Sequence, residues 1–89
     1  MSSVISNEVM NKVREAIGNN VDTRIPVIIT LEASYGANFS SLENEGLSVN
    51  RPFPAINAVA GTALASSVIK LAKQPGVRKI EYDGEVRAL

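Results

Sequence analysis

The 89-residue sequence contains neither cysteine nor histidine. Without cysteine there can be no disulfide bond and no thiolate metal site, so packing alone must hold the fold together. Without histidine the chain lacks the usual general base near neutral pH and the commonest metal ligand. A serine–lysine pair built on Lys70 or Lys73 stays open, although both lysines are expected on a solvated helix face. We therefore expect a protein that is not an enzyme and needs neither a metal ion nor a cofactor.

The sequence also lacks an excess of charge of either sign and any long apolar run. Nine Lys and Arg residues balance nine Asp and Glu residues, which is unlike the basic footprint of a nucleic-acid-binding protein. No apolar run approaches the roughly 20 residues of a membrane-spanning helix. Residues 1–5 have neither the basic region nor the apolar stretch of a secretion signal. We expect no nucleic-acid partner, no membrane partner and a cytoplasmic location.

Hydrophobic residues make up 45% of the chain, which suits one small globular domain. Over residues 4–17 the apolar residues, among them Val9, Val13 and Ile17, fall on one helical stripe. Gly18 is expected to end this helix in the left-handed conformation. The amphipathic helix is expected to pack on its own domain or to fray, or else to bind a partner or a second copy of the chain.

Two further helices are predicted from their first residues. Ser40 and Glu43 match a capping box that opens a short helix, which Gly46 closes. Thr62 is expected to be the N-cap of a helix over residues 63–74, which ends before a Pro-Gly pair.

Four segments have the composition and alternation of β-strands. They are residues 25–32, 47–53, 56–62 and 77–82. Apolar residues on both faces mark the first as a central strand, and small side chains do the same for the third. In the second, Leu47, Val49 and Phe53 are expected to share a face, while Pro52 and Pro54 confine the strand to an edge.

After residue 24 the predicted order is β-α-β-β-α-β, the ferredoxin-like pattern. We expect an α+β fold in which a four-stranded antiparallel sheet carries two helices on one face, plus the extra N-terminal helix. Residues 1–23 would form a helical extension, and residues 24–89 the ferredoxin-like domain. The second face of the sheet is expected to be uncovered and open to a partner.

Two stretches carry a resemblance to a known family. They are residues 56–62, INAVAGT, and residues 74–83, QPGVRKIEYD. With the helix between them, they resemble the propeptide family of subtilisin-like proteases, which includes free-standing inhibitors of those proteases. The resemblance covers residues 24–89 and is strongest over 56–89.

The resemblance implies a protease-binding surface. In that family the uncovered sheet face packs on two surface helices of a subtilisin-type serine protease. Carboxylates at the positions of Glu81 and Asp83 cap the N-termini of those helices, where free N–H groups and the helix dipole favour an anion. The tail enters the substrate groove as an added strand and fills its fourth to first subsites. The tail residues are Val86, Arg87, Ala88 and Leu89.

The expected mechanism is inhibition by a product-like tail. Because the sequence stops at Leu89, no bond follows it for the protease to cut, and the folded domain supplies the remaining affinity. Other interpretations stay open. Glu81 and Asp83 are by default ordinary edge-strand charges, and residues 86–89 a frayed or back-packed terminus. The second sheet face would then be the interface of a possible homodimer. The chain would be a small regulatory or oligomerising domain that binds a metabolite or its own copy.

Overall fold

The computed structural model describes residues 4–36 and 38–84 of the chain. Over these ranges the chain forms three α-helices and four β-strands, with 3₁₀ turns at Ala33–Tyr35 and Pro54–Ile56. In chain order the elements are α1 (Asn7–Gly18), β1 (Arg24–Leu31), α2 (Ser40–Asn44), β2 (Leu47–Phe53), β3 (Ala58–Leu64), α3 (Ala65–Ala72) and β4 (Val77–Tyr82).

The four strands form one antiparallel sheet in the order β2-β3-β1-β4. The two strands predicted to be central, β1 and β3, are central, and β2 and β4 are the edges. Ile29 of β1 lies between Val59 of β3 and Ile80 of β4, and all three side chains are fully buried. Strand order and helix positions make this an α+β, ferredoxin-like fold, as the sequence predicts.

All three helices contribute to a single core on one face of the sheet. The buried side chains of the helices belong to the same apolar cluster as the inward residues of the strands. From the helices these are Val9, Val13, Ala16, Leu42, Ala65, Val68 and Leu71. The N-terminal helix α1 therefore packs into the same core as the sheet. Ile17, expected on its apolar stripe, is instead 62% exposed.

The residues before α1 pair with the outer edge of β4. The Ile80 N–H donates to the Val4 carbonyl at 2.8 Å, and the Ser6 N–H donates to the Ile80 carbonyl at 2.9 Å. Ser6 is also the N-cap of α1, where its Oγ accepts a hydrogen bond from the Val9 N–H. These bonds fix where α1 begins and shield part of an edge strand.

The end of α1 differs from the prediction for Gly18. Gly18 is the last helical residue, and Asn20 takes the left-handed conformation with φ of 58°. The Asn20 and Val21 N–H groups donate to the carbonyls of Ile17 and Ala16, which is the Schellman arrangement. Asparagine tolerates left-handed backbone better than most non-glycine residues, so the left-handed residue lies two positions later than expected.

The capping box predicted at Ser40 is also wrong. Ser40 lies inside α2, and its N–H and hydroxyl both donate to Asn38 Oδ1, at 3.0 and 2.6 Å. The N-cap residue is Phe39, and the side chain of Asn38, one residue before it, accepts the first helical N–H. Gly46 does follow the helix, with φ of 112° and its N–H bonded to the Glu43 carbonyl.

The third strand and third helix both begin later than predicted. Residues 54–56 form a 3₁₀ turn and Asn57 is left-handed, so β3 starts at Ala58. Thr62 consequently lies within the strand and caps nothing, and α3 begins at Ala65. The first turn of α3 is capped from a distant loop. The Ser66 N–H and hydroxyl donate to the Asp22 carboxylate at 2.9 and 2.7 Å.

Candidate functional site

The candidate site is the face of the sheet that turns away from the three helices, called here the open face. Antiparallel partners point to the same face, so its side chains form rows that cross the sheet from β2 to β4. The first row is Arg51, Ala60, Ile28 and Glu81. The second is Ser48, Thr62, Pro26 and Asp83, and the third is Phe53, Ala58, Thr30 and Lys79.

The open face is uncovered in the part of the chain that the structure describes. Ile28, Pro26, Leu64 and Phe53 are all partly exposed, and none packs in the core cluster. The centre of the face is flat, because β3 contributes the small side chains of its alanines there. Such a surface lets another backbone element approach closely.

Two predicted site residues come together at the β4 edge of this face. Glu81 lies opposite Ile28, and the Asp83 N–H extends the ladder with a 3.0 Å bond to the Pro26 carbonyl. The two carboxylates are two residues apart on an extended strand and therefore point the same way. Glu81 Oε2 lies 3.6 Å from Lys79 Nζ, and both side chains are about half exposed, 48% and 55%. An exposed ion pair contributes about 0–1 kcal/mol, so it leaves Glu81 free to change partners.

Two arginines lie on the other half of the open face. Arg24 reaches across β3, and its Nη1 donates long hydrogen bonds of 3.4 Å to Ser48 Oγ and Thr62 Oγ1. The Arg51 guanidinium lies 5.5 Å from the centroid of the Phe53 ring, a cation–π contact. The face is therefore polarised: guanidinium groups lie over β2 and β3, and the carboxylates lie along β4 with Lys79 beside them.

Arg24 and Arg51 were not predicted as site residues. The prediction for β2 was also wrong, because it placed Phe53 on the same face as Val49. The register of β2 shifts between Val49 and Arg51. Val49 consequently faces the core, while Phe53 lies on the open face with Arg51. Strict alternation from Leu47 cannot reveal such a bulge, because the extra residue reverses every later side chain.

The remaining predicted site residues lie outside the described part of the chain. They are Val86, Arg87, Ala88 and Leu89. Gly84 is the last residue that the structure describes. It is exposed and directly follows Asp83.

Two grooves flank the sheet at its opposite ends. One, of about 380 Å³, lies between the end of α1 and β1, with Tyr82 and Lys12 on its wall. The Lys12 ammonium lies 4.8 Å from the centroid of the Tyr82 ring. The other, of about 370 Å³, contains the stacked rings of Tyr35 and Phe39, whose centroids are 6.5 Å apart. Across residues 4–36 and 38–84 no three acidic side chains gather as a metal site would require.

Comparison with known proteins adds no relative. No family model matches the sequence, and no curated protein matches it significantly. No helix in the described ranges combines the length and the apolar character needed to cross a bilayer. What the chain does must therefore be inferred from its own residues and their geometry.

Proposed function

We propose that this chain inhibits subtilisin-type serine proteases, with its open face on the protease surface and residues 86–89 in the substrate groove. The observation that carries the proposal is the position of Glu81 and Asp83. They stand together on an uncovered sheet face, at the end of the strand from which the chain continues toward those residues. The resemblance of residues 24–89 to protease propeptides points in the same direction.

The open face suits two helices of a protease. Its flat centre at Ala58 and Ala60 allows helices to approach closely, and Ile28 offers an apolar contact. A carboxylate at a helix N-terminus contributes about 0.3–1 kcal/mol when exposed and up to about 2 kcal/mol when partly buried. Glu81 and Asp83 would supply one such anion to each helix.

The tail supplies specificity. Subtilisin-type enzymes favour apolar side chains at the first and fourth subsites, and Leu89 and Val86 fit them. Small Ala88 and the long Arg87 occupy the positions between. A groove that accepts an added strand gains main-chain hydrogen bonds at each step, and attachment to a folded domain lowers the entropy lost on binding. The cytoplasmic location expected from the sequence stays a prediction.

The test is titration of a subtilisin-type protease with the full chain. We expect competitive loss of activity at micromolar concentration and no inhibition after deletion of residues 86–89. A chain in which those residues become Gly and Ser, at unchanged length, separates side-chain recognition from tail length and should inhibit weakly. Full protease activity in the presence of micromolar intact chain would contradict the proposal.

A further inference from the structure

The charges of the open face complement one another across its midline. Arg51 and Glu81 belong to the same row, at opposite edges of the sheet. In the neighbouring row Ser48, which holds the Arg24 guanidinium, is at one edge and Asp83 at the other. Arg51 therefore has an anion at the mirror position on the far strand, and so does Ser48, the hydrogen-bond partner of Arg24.

We propose that the open face binds a second copy of this chain, face to face, about a twofold axis parallel to the strands and midway between β3 and β1. This rotation exchanges β2 with β4 and β3 with β1, and it leaves each row at its own height. Strands of two sheets packed face to face run within about 30° of one another, as this axis requires.

The charged rows meet opposite charges under this symmetry. Arg51 of each copy lies over Glu81 of the other, so the contact forms twice. Asp83 lies over Ser48 and the guanidinium of Arg24. Packed sheets are about 10 Å apart, a distance that an arginine and a carboxylate side chain span together.

The remaining rows are complementary in size and polarity. Ile28 of one copy lies over Ala60 of the other, a large side chain over a small one. Phe53 lies over Lys79, so the aliphatic part of the lysine side chain can pack beside a ring that Arg51 already contacts. Directly opposite positions in the three rows carry no like charges; like charges that face each other would cost affinity.

The size of the face sets the strength of the dimer. Four strands about 4.8 Å apart and three rows about 7 Å apart cover roughly 400 Å² on each copy. The total of roughly 800 Å² is below the 1,200–2,000 Å² of stable interfaces, so the dimer should be weak and reversible. Because it covers the face assigned to the protease, dimer and protease complex would exclude each other; this consequence alone rests on the proposed inhibitor function.

The test is a charge exchange measured by sedimentation velocity at low ionic strength, over a series of chain concentrations. The wild-type chain should show a concentration-dependent dimer. Arg51→Glu and Glu81→Arg should each weaken it about tenfold or more, because each places two pairs of like charges in contact. Mixing the two variants should restore a dimer, since both pairs are then opposite in charge, and the double variant should dimerise by itself.

The matched control is Arg14→Glu, which makes the same charge change at an exposed position on α1 and should leave the dimer unchanged. Melting curves of every variant show whether it is folded. A wild-type chain that stays monomeric, or a dimer that neither single substitution weakens, would overturn the proposal. So would a mixture that fails to recover the dimer. No protease is present in these measurements, so their failure would leave the inhibitor proposal standing, and a failed inhibition assay would leave the dimer standing.

Discussion

Glu81 and Asp83 differ from the other carboxylates in their setting, since both lie at the β4 edge of the open face. We expect the double change Glu81→Gln and Asp83→Asn to weaken protease inhibition about tenfold, because each removes an anion from a helix N-terminus without changing side-chain shape. The inhibition constant measures this effect. Glu32→Gln, an exposed carboxylate at the other end of β1, is the control and should have no effect. Equal inhibition by the double variant and the wild type would contradict the role given to these carboxylates.

Leu89 is the residue on which the placement of the tail depends. Leu89→Asp should weaken inhibition by about 3 kcal/mol, roughly a hundredfold, because an apolar subsite would have to bury an unpaired carboxylate. Leu89→Met keeps an apolar side chain of similar volume and should inhibit nearly as well as wild type. If both variants inhibit equally, position 89 does not fill an apolar subsite.

At the scale of elements, the N-terminus of α3 depends on a residue from the loop before β1. Two hydrogen bonds from Ser66, from its hydroxyl and from its backbone N–H, lower the pKa of the Asp22 carboxyl below its ordinary 3.8. Because folding lowers this pKa, the folded state binds the proton more weakly than the unfolded state does. The contribution to stability is therefore present above pH 3.8 and is lost as the pH falls through the folded pKa.

This cap predicts different behaviour for two variants. Asp22→Ala should lower the melting temperature near neutral pH, because the first turn of α3 loses its acceptor. Asp22→Asn should retain most of the stability there, since an amide oxygen still accepts the Ser66 N–H. The stability difference between wild type and the Asn variant should shrink as the pH is lowered from about 6 to about 2. A difference that stays constant over this range would show that the ionised carboxylate is not what stabilises the cap.

The role of α1 in the core predicts the effect of shortening its side chains. Val9 and Val13 are buried, at 0% and 2% exposure, whereas Ile17 on the same helix is largely exposed. Val9→Ala should lower the free energy of unfolding by about 2 kcal/mol, from lost burial and the cavity left behind. Ile17→Ala is the control and should change it by less than about 0.5 kcal/mol. Urea denaturation measures both, and equal effects would mean that α1 does not pack on the sheet.

Elements were easier to predict than the places where they begin. The strands at Leu47–Phe53 and Val77–Tyr82 lie where hydrophobic patterning predicts them, although in the first the alternation breaks at the register shift after Val49. The predicted start of α3 was wrong because the group that caps its first turn comes from a distant part of the chain. Asp22 is 44 residues from Ser66, and no local motif can report a hydrogen bond between residues so distant in sequence.

At the scale of the whole molecule, strand order and the uncovered face were predicted, while the polarity of that face was not. Placing Glu81 needed only the phase of β4, which is regular from Lys79 to Tyr82. Placing Arg51 needed the register shift after Val49, which arises from pairing with β3 and has no signal in the strand itself. The sequence therefore predicted only one half of the candidate site, the β4 edge with its carboxylates.

The central claim is that the open face, and not the helical side, contacts a protease. The most direct test follows the methyl NMR signals of the full chain during titration with a subtilisin-type protease whose nucleophilic serine has been removed. Ile28, Ala58 and Ala60 report on the open face, while Ile17 and Ile69, exposed on the helices, report on the opposite side. We predict shifts for the first three and none for the other two. Unchanged spectra at excess protease, or shifts confined to Ile17 and Ile69, would contradict the account.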